Sequence, residues 1–215
     1  MSLTDDSKEY NILIKKLFRC AQHINTNDAI QLPQICVIGD QSSGKSTTLT
    51  ALTGVPFPTA GEMCTKCAIR VKCSRDEDLV EDVFTIIVNK VSKPIKKEEL
   101  CNEITNIQNQ LTGNKKTISK DVINIEVKGP NQMEIILIDL PGIIHAGKDG
   151  LGNDIRDLIN NHIKDERTLI LNCTAATNDD ELFETLDIIS AHDLDGKRNI
   201  RVLTKFDKFN SDSDI

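Results

Sequence analysis

The sequence predicts an α/β domain in which a mostly parallel central sheet is flanked by helices on both faces, preceded by one amphipathic helix. Three observations carry this expectation. Short β-rich apolar runs alternate with segments of helical period along most of the chain. Turn-forming residues separate them. The 215 residues, 39% hydrophobic and 27% charged, suffice for one buried core or slightly more.

The elements follow in order. Tyr10, Leu13, Ile14, Leu17, Phe18 and Ala21 fall on one helical face, with Asp5, Asp6 and Glu9 near its start, where the helix dipole favours anions. Residues 1–30 therefore read as a helix that needs a partner, and residues 31–215 as the α/β domain. Gln34 to Ile38 is a β-rich run, followed by a Gly/Ser loop and a helical segment from Lys45 to Thr53 that Gly54 stops. Cys67, Ile69, Val71 and Cys73 alternate with Ala68, Arg70 and Lys72, and Val83 to Val88 is a second β-branched run, so both read as strands. The stretch Lys90 to Lys97 reads as a solvated loop in preference to a site for acidic lipid.

Leu100, Ile104, Ile107 and Leu111 recur at helical spacing and stop before Gly113. Val122 to Val127 and Met133 to Ile138 flank Gly129-Pro130-Asn131-Gln132, which suits an antiparallel hairpin. Next come a helix carrying Ile155, Leu158, Ile159 and Ile163, the strand Thr168 to Cys173, a helix carrying Leu182, Leu186 and Ile189, and the strand Ile200 to Leu203. In such a sheet, ligands are expected at the carboxyl ends of the strands.

Composition narrows the function. A net charge of -7, from 26 basic and 33 acidic side chains, argues against a nucleic-acid backbone as partner. Aromatic residues at 3%, with no Trp and one Tyr, leave little material for base stacking. Apolar stretches such as Ile135 to Ile138 fall far short of the roughly 20 residues that cross a bilayer. The acidic start lacks a secretory pattern, and seven cysteines without framework spacing suggest reduced thiols, so a cytoplasmic protein is expected. Cys36, Cys73 and Cys173 read as small buried hydrophobes. Cys64, Cys67 and Cys73 lack an obvious fourth zinc ligand, so structural or switch use is expected. His145, His162 and His192 are scattered and read as surface residues.

Three motifs carry chemistry. Gly39-Asp40-Gln41-Ser42-Ser43-Gly44-Lys45-Ser46 follows an apolar strand and opens a helix, the setting of a phosphate loop. Its glycines let backbone N–H groups turn toward phosphates, and the helix N-terminus adds partial positive charge. Lys45 would reach the β and γ phosphates, Ser46 would give its hydroxyl to Mg²⁺, and Thr47 continues the contact surface. An ordinary glycine-rich turn would not require Lys and Ser after Gly44. Asp139-Leu140-Pro141-Gly142 ends an apolar strand, where Asp139 would hold Mg²⁺ through water and Gly142 would offer its N–H to a γ-phosphate. Without the phosphate loop upstream, this tetrapeptide reads better as a turn than as a site. Thr204-Lys205-Phe206-Asp207 follows the last strand; Asp207 would accept both N–H donors of guanine, and Lys205 would lay its stem along the base, selecting GTP over ATP. Either Thr59 or Thr65 would serve as a switch hydroxyl.

Together these motifs resemble the GTPase domain of the dynamin superfamily, a P-loop GTPase fold, and Met63-Cys64-Thr65-Lys66-Cys67 is most similar to its Mx branch. The resemblance runs from roughly Asp6 to Asp207. It implies hydrolysis of GTP to GDP and phosphate with Mg²⁺, with Ser46, Thr65 and Asp139 around the metal. Small GTPases orient water with a glutamine where this chain has Ile143, so the resemblance assigns that task to Gln41. It gives Ser42 a monovalent cation and selects Thr65 over Thr59 to close on Mg²⁺ and the attacking water. Asp179 aligns with a residue used in contacts between two GTPase domains, which implies a nucleotide-dependent homodimer; membrane or filament association follows by resemblance alone.

The chain departs from the family pattern at Ala60, Glu62 and Ala68. Residues 1–30 resemble the family's bundle-signalling helix without its partner helices, and residues 31–215 a GTPase domain incomplete at its C-terminus. A second expectation is therefore a catalytically inactive GTP-binding or interaction module. An ATP-using P-loop enzyme is a third, which Thr-Lys-Phe-Asp opposes.

Overall fold

The computed structural model describes residues 12, 13, 16, 34–59, 65–115, 117–144, 150–176 and 182–208. In chain order the elements are β1 (Gln34–Ile38), α1 (Lys45–Thr53), β2 (Ala68–Arg75), β3 (Val83–Val88), β4 (Val91–Ile95), α2 (Lys97–Leu111), β5 (Val122–Gly129), β6 (Ile135–Asp139), α3 (Leu151–Ile163), β7 (Thr168–Ala175), α4 (Leu182–Ser190) and β8 (Asn199–Thr204). A 3₁₀ turn, Phe206–Lys208, follows. The eight strands lie in one sheet in the order β4-β3-β5-β2-β6-β1-β7-β8.

Successive residues of a strand point to opposite faces, and here both faces are covered. Val37, Leu137 and Leu171 join Leu49 of α1 and Leu100 and Ile104 of α2 in one apolar cluster. Cys36, Ile38, Ile138 and Ile170 join Ile155 and Ile159 of α3 and Ile188 and Ile189 of α4 in the other. This two-sided burial is why β1, β6 and β7 read as near-continuous apolar runs. The strands β6, β1, β7 and β8 are mutually parallel, so the carboxyl ends of all four lie at one edge of the sheet.

The hairpin expectation is corrected. β5 and β6 run in opposite directions but are not neighbours, because β2 inserts between them, parallel to β5 and antiparallel to β6. The end of β2 is stitched into the connection between them: Asp76 N–H donates to Gly129 O (2.9 Å) and Arg75 N–H to Glu134 Oε1 (3.0 Å). A row of buried side chains on β2, from Ile69 to Cys73, requires this central place. The solvated loop over Lys90 to Lys97 is corrected as well: Val91–Ile95 is an edge strand on β3, blunted by Lys93 and Pro94 in the manner of strands that resist further pairing.

Ile12, Leu13 and Lys16 are helical, with Ile12 54% and Leu13 57% exposed, and the rest of the expected N-terminal helix lies outside the described residues. Ala60, Glu62, Cys64, His145 and Asp179 lie outside them too. Cys36, Cys67, Cys73 and Cys173 are buried free thiols, and burial pushes the first three up to about 12. Ala68, which alternates with Cys67, Ile69, Val71 and Cys73, is buried as well. No helix among the described residues is long and apolar enough to cross a membrane.

Candidate functional site

The loop between β1 and α1 adopts its shape because two of its glycines stand where no side chain fits. At Gly39 (φ 145°), an added Cβ would lie 2.2 Å from the Cys173 carbonyl oxygen and 2.8 Å from Ser43 Oγ. Gly44 (φ 90°) caps α1 without a side-chain hydrogen bond, and no acidic residue occupies the first turn, so the positive end of the helix dipole is left to a ligand. Lys45 is buried, its Nζ donating to Gly39 O (3.0 Å) and Asp40 O (2.6 Å).

The loop is closed from the β6 side. Ile143 N–H donates to Gly39 O (3.2 Å) and Gln41 N–H to Ile143 O (3.3 Å), an isolated parallel bridge. Gly142 passes so near that an added Cβ would come 2.7 Å from Gln41 Cα and 3.0 Å from Lys45 Nζ. From the β8 side, Thr204 Oγ1 donates to Ser43 O (2.7 Å). From α4, Thr185 Oγ1 donates to Asp40 Oδ1 (3.4 Å).

Asp139 ends β6 and is 1% exposed. Its Oδ2 accepts the Thr65 hydroxyl at 2.9 Å, whereas its Oδ1 is buried with no hydrogen-bond partner among the described residues. Burial pushes its pKa up to about 6, against the opposing pull of the Lys45 ammonium, the Thr65 hydroxyl and the Leu140 backbone. A raised carboxylate binds more protons folded than unfolded between its ordinary 3.8 and about 6, so stability falls as pH rises through that window. In the nucleotide-free protein, Asp139→Asn should match wild type at pH 4 and be more stable by about 3 kcal/mol at pH 7. Urea unfolding of both proteins at the two pH values checks this; a pH-independent difference would refute it.

These groups surround a cleft of about 320 Å³. Of the expected residues, Gln41, Ser42, Gly44, Lys45, Ser46, Thr47, Thr65, Gly142 and Lys205 line it. Gly39, Asp40, Ser43, Asp139 and Thr204 stand behind that lining, the first four buried, and Asp207 is exposed on the 3₁₀ turn beyond it. Thr59 lines the cleft beside Thr65, but it is Thr65 that bonds Asp139. Sequence reasoning missed three parts: Pro58 in the lining, the backbone bridge of Ile143 and the Thr185 contact. For Ile143 the sole available signal was its apolar character, since a backbone bond leaves no mark in the residue type.

A glycine-rich loop, its lysine and a buried aspartate at the carboxyl ends of parallel strands define a P-loop GTPase fold. The model of the dynamin family matches residues 35–206, and the chain belongs to that family. It is similar to the interferon-induced GTP-binding protein Mx of Perca fluviatilis, at 34% identity over 183 residues, 83% of this chain and 61% of that one. It is similar also to the interferon-induced GTP-binding proteins Mx2 of Ovis aries (36%; 83% of this chain, 25% of that one) and Bos taurus (35%; 83% and 26%). The chain thus spans from about a quarter to about three fifths of the length of these curated relatives.

Proposed function

We propose that this chain binds GTP with Mg²⁺ in the cleft and hydrolyses it to GDP and phosphate by in-line attack of water. The observation that carries the reading is the convergence of Lys45, Thr65, Asp139 and Gly142 at the open N-terminus of α1. The donor set suits magnesium: the orphaned Asp139 Oδ1, the Thr65 hydroxyl and the Ser46 hydroxyl are all hard oxygens. When bound, the metal would neutralise charge on the β and γ phosphates. Lys45 binds the same phosphates, Gly142 offers its N–H to the γ-phosphate, and Gln41 orients the water, because Ile143 has no side-chain donor or acceptor. Asp207 and Lys205 select guanine, a purine choice supported by the similarity to GTP-binding proteins. Ser42 would help to place a monovalent cation. The setting is cytoplasmic, and two loaded domains pair across the nucleotide face with Asp179 at the contact.

Phosphate release measured with GTP and with ATP, over a range of protein concentrations, tests this. GTP should be turned over with a rate per molecule that rises with concentration, and ATP should not compete. Tight GTP binding without release at any concentration would leave an inactive GTP-binding module; equal use of ATP would remove the role of Asp207.

A further inference from the structure

We infer that Gln108 is a positioning residue for the switch threonine, an inference that rests on the GTP reading above. Gln108 lies on α2, 2% exposed, on the face whose other members, Leu100, Ile104 and Ile107, pack into the core. Its Oε1 accepts the backbone N–H of Lys66. That N–H belongs to the peptide plane that carries the carbonyl of Thr65, and a planar peptide oriented at its N–H is oriented throughout. Gln108 therefore sets the attitude of the backbone from which the Thr65 hydroxyl reaches Asp139 at 2.9 Å.

Two further bonds hold the same residue: Lys66 Nζ donates to Asn109 Oδ1 (2.8 Å), and Ser119 N–H donates to Lys66 O (2.8 Å). The support is stiff, because Thr112 Oγ1 donates to Gln108 O (2.9 Å) and closes the last turn of α2. Packing does not explain a glutamine here. Its Nε2 is buried without a partner among the described residues, an unfavourable state that an apolar side chain of similar size would avoid. What an apolar side chain lacks is the acceptor for Lys66.

The consequence is selective. In the proposed reading Thr65 closes on the metal and on the water that attacks the γ-phosphate, which GDP lacks, so a fault in its placement should affect the triphosphate alone. Affinities for the analogue GTPγS with Mg²⁺ and for GDP, together with kcat and KM for GTP, are measured for wild type, Gln108→Leu, Gln108→Glu and Thr65→Ala. Loss of an outer support of a metal ligand lowers activity on the order of 10-fold. Gln108→Leu should show that loss in kcat and a weaker grip on GTPγS, with GDP affinity unchanged. Gln108→Glu, which keeps an acceptor, should recover most of it.

Wild-type kcat in Gln108→Leu would overturn the inference, as would an equal loss of GDP and GTPγS affinity, the mark of general damage. Should Gln108→Leu fail to fold, amide exchange at Lys66 in wild type decides: protection that deepens with GTPγS and not with GDP is expected, and free exchange in every state overturns it. Absence of GTP binding by wild type would bring down the functional reading itself, whereas normal wild-type turnover with Gln108 variants that match it would bring down this inference alone.

Discussion

Replacing Lys45 with alanine should weaken GTP and GDP binding by at least 100-fold while leaving the fold intact. The Lys45 ammonium is buried between the carbonyls of Gly39 and Asp40, at the point where Gly142 comes nearest. With nucleotide bound, removing this cation would leave a phosphate charge unpaired in a medium that solvates it poorly, a loss of about 3–5 kcal/mol. Here the loss is doubled in kind: phosphates would lose their cation, and Asp139 would lose the charge that now opposes the rise of its pKa. Each 1.4 kcal/mol is about tenfold in affinity, so 100-fold is the low end of the range. Titration with a fluorescent guanine nucleotide measures it, and circular dichroism checks the fold. Affinity within tenfold of wild type would place the phosphates elsewhere.

The second large effect is on rate and not on binding. Gln41→Ala should lower kcat by roughly 100- to 1,000-fold, the range seen when a group that orients charge in the transition state is removed. Nucleotide affinity should stay close to wild type. The backbone of Gln41 explains the separation. It is tied by its N–H to Ile143 O and packed against Gly142, so truncating the side chain removes the group that faces the cleft without loosening the glycine loop itself. Single-turnover hydrolysis with saturating GTP isolates this step; an unchanged rate would transfer the water to another residue.

Legibility followed the range of the interactions concerned. The run Gln34 to Ile38, the helix Lys45–Thr53 with its stop at Gly54, and the strand Val83–Val88 emerged at their expected bounds, because side-chain period and glycine conformation act over a few residues. Thr59 against Thr65 lay beyond that reach. Both line the cleft, and the hydroxyl bonded to Asp139 lies 74 positions away from it in the chain. Val91–Ile95 was hidden for a related reason. A strand with four of its five residues exposed presents no alternation to read, and its existence depends on β3 lying beside it.

By itself the amino-acid order determined the glycine loop, the strands that lead into Asp139 and Thr204, and the helices whose apolar faces cover the sheet. These features repeat a local pattern, and local sterics and side-chain period suffice to specify them. Tertiary structure alone decided which strands touch. It put β2 between β5 and β6, bridged Ile143 to the glycine loop and brought Gln108 under Lys66. Backbone hydrogen bonds are the same for every residue but proline, so partners distant in the chain are chosen by the joint packing of both faces of the sheet and not by any residue's own identity.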